Sequence, residues 1–159
     1  MDGYGYIDLP SSWQMKGFDQ QQYVNIRYPF PFDPPFVPFE NPCGVYMRSF
    51  TYDKRAGTRA VLNCEGIDSC FYLWLNGQFA GFSKVSYSTS RFDITDFLHD
   101  GEHHLLSRPQ WCDGSYFEDQ DKFRLSGIFR DVYILDRDEN CIEDLRITTE
   151  LKNGEARVG

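Results

Sequence analysis

Asn76-Gly77 lies between two apolar-rich runs, FYLWL before it and QFAGF after it. An Asn-Gly pair supplies the positive φ values that a two-residue type I′ turn requires, and that turn joins antiparallel strands with the correct twist. The stretch FYLWLNGQFAGFSK is therefore expected to form a β-hairpin. Other runs share its character. VYMRSFTY (45–52), RAVLNCEG (59–66), GIFRDVYILDR (127–137) and CIEDLRITTE (141–150) are short and bounded by turn formers or polar residues. They are rich in the β-branched and aromatic side chains that suit a pleated, half-buried surface. RFDITDFL (91–98) reads as a strand passing into a helical turn, with Thr95 or Asp96 as its N-cap. No segment keeps a helical apolar period over three turns. Short strands with turn signals at roughly ten-residue spacing predict an all-β fold, a sandwich or jelly roll.

The N-terminal part obeys a different constraint. Six of the eight prolines fall at 29, 31, 34, 35, 38 and 42. Proline fixes φ and lacks an N–H, so this stretch can be neither a helix nor a central strand. It is expected to run extended over a sheet, anchored by Phe30, Phe32, Phe36 and Phe39, whose rings call for burial. A recognition motif for a polyproline-binding partner is the competing reading. With 159 residues the natural expectation is one domain, residues 1–159, with 1–43 largely a strap and 44–150 the sandwich strands.

Charge and cysteine usage narrow the function classes. The formal charge is −8, and an acidic surface repels phosphate backbones, so no nucleic-acid partner is expected. No stretch approaches the roughly 18 apolar residues of a membrane span. Cys43, Cys64, Cys70, Cys112 and Cys141 are odd in number and lack C-x-x-C spacing. They read as reduced, mostly buried thiols rather than a structural zinc site or a redox motif. The opening residues carry no apolar leader, and a cytoplasmic location is expected.

WCDGSYFEDQD (111–121) concentrates the candidate chemistry, with Asp113, Glu118, Asp119 and Asp121 among aromatic rings. Glycoside hydrolysis uses two carboxyl groups flanking the scissile bond, but nothing local singles out a pair here. The segment does not match the EF-hand pattern, although a looser cation site built on one carboxylate stays open. His103 and His104 are adjacent, so in a strand they point to opposite faces and cannot form a compact two-histidine metal site. They and His99 are expected to be exposed polar surface. Trp74 reads as core. Trp111, Tyr116, Phe117 and Phe123 could stack on sugar rings or pack inside. LLSRPQW contains Pro109, which deletes a ladder donor, so that strand is expected at an edge, bulged or shortened.

Three blocks carry a family resemblance: PSSWQMKGFDQQQYVNIRYPFPFDPPFVPFENPCGVYMRSF, FYLWLNGQFAGFSKVSYSTSRFDITDFL and WCDGSYFEDQDKFRLSGIFRDVYIL. In this order and spacing they resemble the N-terminal domain of bacterial β-galactosidases of glycoside hydrolase family 2, over about residues 8–150. The resemblance implies a jelly-roll β-sandwich of the galactose-binding-domain type. It also implies a non-catalytic role, because in that family the catalytic carboxylates belong to a later TIM barrel. It assigns Asn25 to the galactosyl pocket. Asp121 it assigns both to the galactosyl group and to an active-site Na+, with Mg2+ elsewhere in the family's enzymes. Expected partners are then a β-galactoside, the remaining domains of a parent enzyme, and copies of the chain itself through exposed docking surface. A stand-alone carbohydrate-binding module is the alternative. Several positions depart from the family pattern. Lys122-Phe123 replaces Met-Trp, Cys43 a threonine, Tyr87 an arginine and Phe39 a glutamate. Ser107, Arg108 and Pro109 stand in a strand that is usually valine-rich.

Overall fold

The structure is a computed structural model and describes residues 4–23, 27–28, 30–118 and 121–159. Eleven strands occur among the described residues: β1 (Tyr46–Tyr52), β2 (Thr58–Cys64), β3 (Ile67–Asp68), β4 (Cys70–Leu75), β5 (Gln78–Ser83), β6 (Ser90–Asp93), β7 (Gly101–Gln110), β8 (Gly127–Ile128), β9 (Val132–Asp138), β10 (Thr149–Lys152) and β11 (Glu155–Val158). Short 3-10 turns at Trp13–Lys16, Thr95–Phe97 and Asp113–Tyr116 are the helical pieces. No helix among the described residues is long and apolar enough to cross a membrane. One sheet has the order β1-β7-β4-β5 and the facing sheet the order β6-β2-β9. All pairings are antiparallel, and the two sheets form a jelly-roll β-sandwich.

Alternation builds the core. On β2, Ala60, Leu62 and Cys64 point inward; on β4, Phe71, Leu73 and Leu75 do the same. Ile67, Ile94, Leu98 and Ile128 fill the ends between them. Leu73 and Leu75 are almost fully buried, each contributing about 1.5–3 kcal/mol relative to an exposed side chain. Trp74, expected inside, lies on the opposite face of β4, half-buried against Phe79 and near Tyr72. Its position in the strand is even where the core positions are odd, so the pleat turns it outward.

The hairpin at 76–77 forms as expected. Asn76 has φ 52° and Gly77 φ 78°, and Leu75 pairs with Gln78 across them. Asn76 does more than turn the chain. Its side-chain amide donates to Phe97 O at 3.0 Å, lies 2.9 Å from His103 Nδ1, and its oxygen accepts from the His104 N–H. His103 is therefore not surface: it is fully buried, with Nε2 2.7 Å from His99 O. A buried imidazole is tolerated because both ring nitrogens have partners, a match made by residues distant in sequence. His104, next along β7, is exposed.

Pro109 corrects another expectation. β7 is ten residues long and central, between β1 and β4. The register turns the nitrogen of Pro109 toward Gly44, beyond the start of β1 at Tyr46, and Gly44 N–H donates to Pro109 O at 3.1 Å. The missing donor thus falls opposite Gly44, outside the seven paired residues of β1, where the pair keeps one of its two hydrogen bonds. The helical turn after β6 is also capped differently. Ile94 holds the N-cap position, and Asp93 Oδ1 accepts from Thr95 N–H and from Thr95 Oγ1.

The run 127–137 divides into β8 and β9. The run 141–150 is mostly irregular, with β10 beginning only at Thr149. β10 and β11 form a hairpin around Asn153-Gly154, φ 51° and 83°. Every residue of that hairpin is exposed. Of the strap phenylalanines, Phe30 is buried whereas Phe32, Phe36 and Phe39 are exposed. The five cysteines are free; Cys64 and Cys70 are buried, Cys112 is half-buried, and Cys43 and Cys141 are exposed.

Candidate functional site

β7 delivers the chain at Gln110 to a loop that returns through Arg124 to β8. The loop opens with Trp111, whose N–H donates to Oδ1 of the strap residue Asn41 and whose carbonyl oxygen accepts from Asn41 Nδ2, at 3.0 and 2.8 Å. The strap is thereby fixed to the loop. Tyr116 makes the second attachment. Its ring is edge-on to Phe30 and Phe32, with centroids 5.3 and 5.5 Å apart. Its hydroxyl accepts from Asp33 N–H and lies 2.5 Å from Phe36 O. Tyr116, one of the rings considered for sugar stacking, is therefore internal, while Phe117 is exposed.

The acids of the loop divide by partner. Asp113 accepts from Lys84 Nζ at 2.7 Å, and that ammonium holds its carboxyl below the usual carboxylate range. Glu118 accepts from Ser86 Oγ at 2.8 Å and from Ser86 N–H at 3.0 Å, using both carboxylate oxygens. Both acids are occupied in tying the loop to the segment after β5. Asp119 lies outside the described residues. Asp121 is exposed, and its Oδ1 accepts from Tyr23 Oη at 2.5 Å. This carboxylate pushes the Tyr23 phenol upward. Tyr23 also packs on Phe123, centroids 5.4 Å apart. One residue back, Gln22 bridges to Arg124, with Arg124 N–H donating to Gln22 O at 2.8 Å. Asn25 lies outside the described residues. The described chain leading to it, through Tyr23, runs against Asp121.

Behind this wall is a residue that pattern reading did not single out. Asp68, at the end of β3, lines a small cavity of about 20 Å³ with Phe30, Trp111, Glu118, Lys122 and Arg124. That is room for about one water. Burial, reinforced by the nearby Glu118 charge, pushes the Asp68 carboxyl up to about 7; Lys122 and Arg124 oppose this. Burial in turn lowers the Lys122 ammonium. Asp68 sits in the apolar-flanked stretch GIDSC, where one acid looks like an ordinary turn residue, and only the fold brings it under the loop. Beside it, Ser69 Oγ lies 2.7 Å from Ser115 Oγ. A thiol hydrogen bond with Cys70 lowers Cys112, while the same contact raises Cys70.

Positions that depart from the family pattern meet one another. Lys122 Nζ sits 4.2 Å from the centre of the Tyr87 ring, and Arg108 Nε donates to Cys43 Sγ at 2.9 Å. One contact is a cation over an aromatic face, the other a guanidinium on a thiol.

Chemically, the loop presents one outward carboxylate flanked by exposed rings. A hard anionic oxygen can accept sugar hydroxyls or ligate a hard cation. No cluster of three or more His, Cys, Asp or Glu side chains suited to a metal occurs among the described residues.

A jelly-roll sandwich with a loop-borne carboxylate and aromatic rings at one end has the form of a carbohydrate-associated module. Residues 4–138 match the family model described as glycosyl hydrolases family 2, sugar binding domain, and the chain belongs to that family. It is 53% identical over 146 residues to a β-galactosidase of Actinobacillus pleuropneumoniae, covering 91% of this chain and 14% of that protein. It is 47% identical over 151 residues to a β-galactosidase of Staphylococcus xylosus, covering 92% of this chain and 15% of that one. The chain thus spans about a seventh of the curated relatives it matches. Among solved structures, an FMN-binding β-glucuronidase from Facaelibacterium prausnitzii L2-6 shares the fold with TM-score 0.60 at 20% identity, over 83% of this chain and 19% of that one. A β-glucuronidase from an uncultured Clostridium sp. does so with TM-score 0.61 at 22% identity, over 72% and 22%.

Proposed function

We propose that this domain is the non-catalytic sugar-binding and structural module of a β-galactosidase, and that it supplies one wall of a galactoside site completed by a barrel elsewhere in the parent polypeptide. The observation that carries the reading is the division of labour in the loop. Asp113 and Glu118 are held by Lys84 and Ser86, whereas Asp121 is turned outward beside Tyr23 and Phe123. One oxygen of Asp121 is oriented by the Tyr23 hydroxyl, which leaves the other to meet a sugar hydroxyl or a cation. Asn25, two residues beyond Tyr23, would present an amide that both donates and accepts, suiting a cluster of hydroxyls.

In this role the chain binds and orients but does not carry the acid/base pair. Na+ at Asp121 would compensate the carboxylate charge and position a sugar hydroxyl, with its other ligands coming from the parent enzyme. The five free thiols support a reducing, cytoplasmic setting. The test is Asp121→Ala and Asp121→Asn in the full-length polypeptide. We expect kcat/KM for a β-galactoside to fall at least about 100-fold for the alanine variant, matching the cost of about 3 kcal/mol for losing a charge-assisted contact, with altered Na+ dependence in both. Kinetics like wild type would refute the assignment. The 159-residue chain is expected to show no galactosidase turnover, and only weak NMR shifts with galactosides.

A further inference from the structure

The free thiols divide by environment. Cys64 belongs to the core cluster, where burial pushes it up to about 12, and a thiol so placed is a poor nucleophile. Cys141 is exposed near Glu143, and Cys43 is exposed and meets Arg108. Cys70 and Cys112 instead meet each other. The register of β4 and β7 brings them together. Cys70 opens β4 and pairs with Gln110, the last residue of β7. Cys112 stands two residues further on with φ −147° and ψ −175°, so strand alternation keeps its side chain on the side of Gln110 and Cys70. Cys70 lies on the face of β4 opposite Phe71, Leu73 and Leu75, outside the core cluster, yet it is only 1% exposed.

The two sulfurs have unlike surroundings. Cys112 is half-buried and so is open to a small solute. The Cys70 thiol donates to its sulfur, Ser69 Oγ lies 3.5 Å from it, and the Gly114 N–H is a third donor. Donors aimed at one sulfur favour its thiolate. They hold Cys112 below the ordinary thiol range against burial and the Asp113 charge, and Lys84 offsets that charge at 2.7 Å. The contact with Cys112, together with burial, raises Cys70, which keeps its proton. An accessible thiolate beside a protected thiol is the arrangement that a two-step thiol oxidation requires.

We propose that Cys112 and Cys70 are the peroxide-reactive and resolving thiols of a reversible redox site at the root of the acidic loop. The Cys112 thiolate attacks one oxygen of hydrogen peroxide. An S–O bond forms, the O–O bond breaks, and the departing hydroxide takes up a proton as water. The Cys70 sulfur then attacks the sulfur of the Cys112 sulfenic acid. The S–S bond forms, the S–O bond breaks, and the second hydroxide leaves as water with the Cys70 proton. Two thiols and one peroxide give one disulfide and two waters, two electrons passing from sulfur to oxygen. A dithiol reductant reverses the bond by exchange. The state of the bond reaches the loop because the Cys112 sulfur also caps the turn Asp113–Tyr116, accepting from the Ser115 N–H. A disulfide sulfur is a weaker acceptor than a thiolate, so oxidation loosens that turn while tying its first residue to β4. The proposal stands whether or not Asp121 serves a sugar site.

The test is a hydrogen peroxide titration of the full-length polypeptide, quenched by alkylation and mapped by mass spectrometry without reduction. We expect Cys70 and Cys112 to lose alkylation together and to appear as one cross-linked peptide pair, with fragmentation placing the bond on Cys70 rather than Cys64. A dithiol should restore both thiols. In Cys70→Ser the oxidation should stop at the sulfenic acid, seen as a dimedone adduct on Cys112. Two results would overturn the proposal: Cys112 oxidised in the unsubstituted protein while Cys70 remains alkylatable, or both thiols unchanged at a peroxide excess that oxidises Cys43 and Cys141. Neither result depends on the variant folding. Amides 114 and 115 should exchange at least about 10-fold faster in the oxidised protein; unchanged exchange would overturn the coupling to the loop.

Discussion

Asp68 offers the sharpest quantitative test of the buried chemistry behind the loop. Its carboxyl binds a proton more tightly in the fold than in the open chain, with a value near 7 against about 3.9 unfolded. The difference corresponds to at most about 4 kcal/mol at 1.36 kcal/mol per pH unit, a ceiling that relaxation and water in the adjoining cavity reduce. The sign follows from proton binding. Below about pH 4 both states are protonated and Asp68 costs nothing. As pH rises the unfolded state loses its proton first, so the fold is progressively penalised, and the penalty is complete above about pH 7. Asp68→Asn keeps the shape and removes the titration. Urea unfolding of the two proteins at a series of pH values between about 4.5 and 8.5 is the assay. The variant should gain stability over wild type as pH rises, by about 2–4 kcal/mol between the ends of the range. A stability difference that does not change with pH would refute the account, because it would mean that Asp68 keeps an ordinary carboxyl value in the fold.

Asn76→Ala should destabilise by about 2–4 kcal/mol in urea unfolding. It removes a residue suited to positive φ and leaves buried His103 without its Nδ1 partner; a loss under about 0.5 kcal/mol would contradict this role. Tyr116→Phe should cost about 1–3 kcal/mol, because the buried hydroxyl serves Asp33 N–H and the strap carbonyls. It should also speed proteolysis between residues 30 and 40 while leaving the sandwich strands protected.

The contacts between divergent positions bear on how such a domain tolerates change. Tyr87 with Lys122, and Cys43 with Arg108, are far apart in sequence and adjacent in space. Replacing either member of a pair removes that contact from the other.

The sequence alone determined the β class, because period-two runs and turn formers act locally. Asn76-Gly77 made its hairpin from its own φ preferences, and the three family blocks carried the sandwich and the interest of Asp121. Local reading failed where the partner was distant. His103 looked like surface until Asn76 and the His99 carbonyl satisfied its ring. Pro109 looked like an edge residue until the register placed its missing donor beyond the start of β1. Phe32, Phe36 and Phe39 looked like anchors, but apolar character does not say whether a neighbour will arrive to cover it. Only the tertiary structure separated the acids of the loop, giving Asp113 to Lys84, Glu118 to Ser86 and Asp121 to Tyr23. It alone put Asp68 beneath them, since burial and the field of a neighbouring carboxylate are properties of packing.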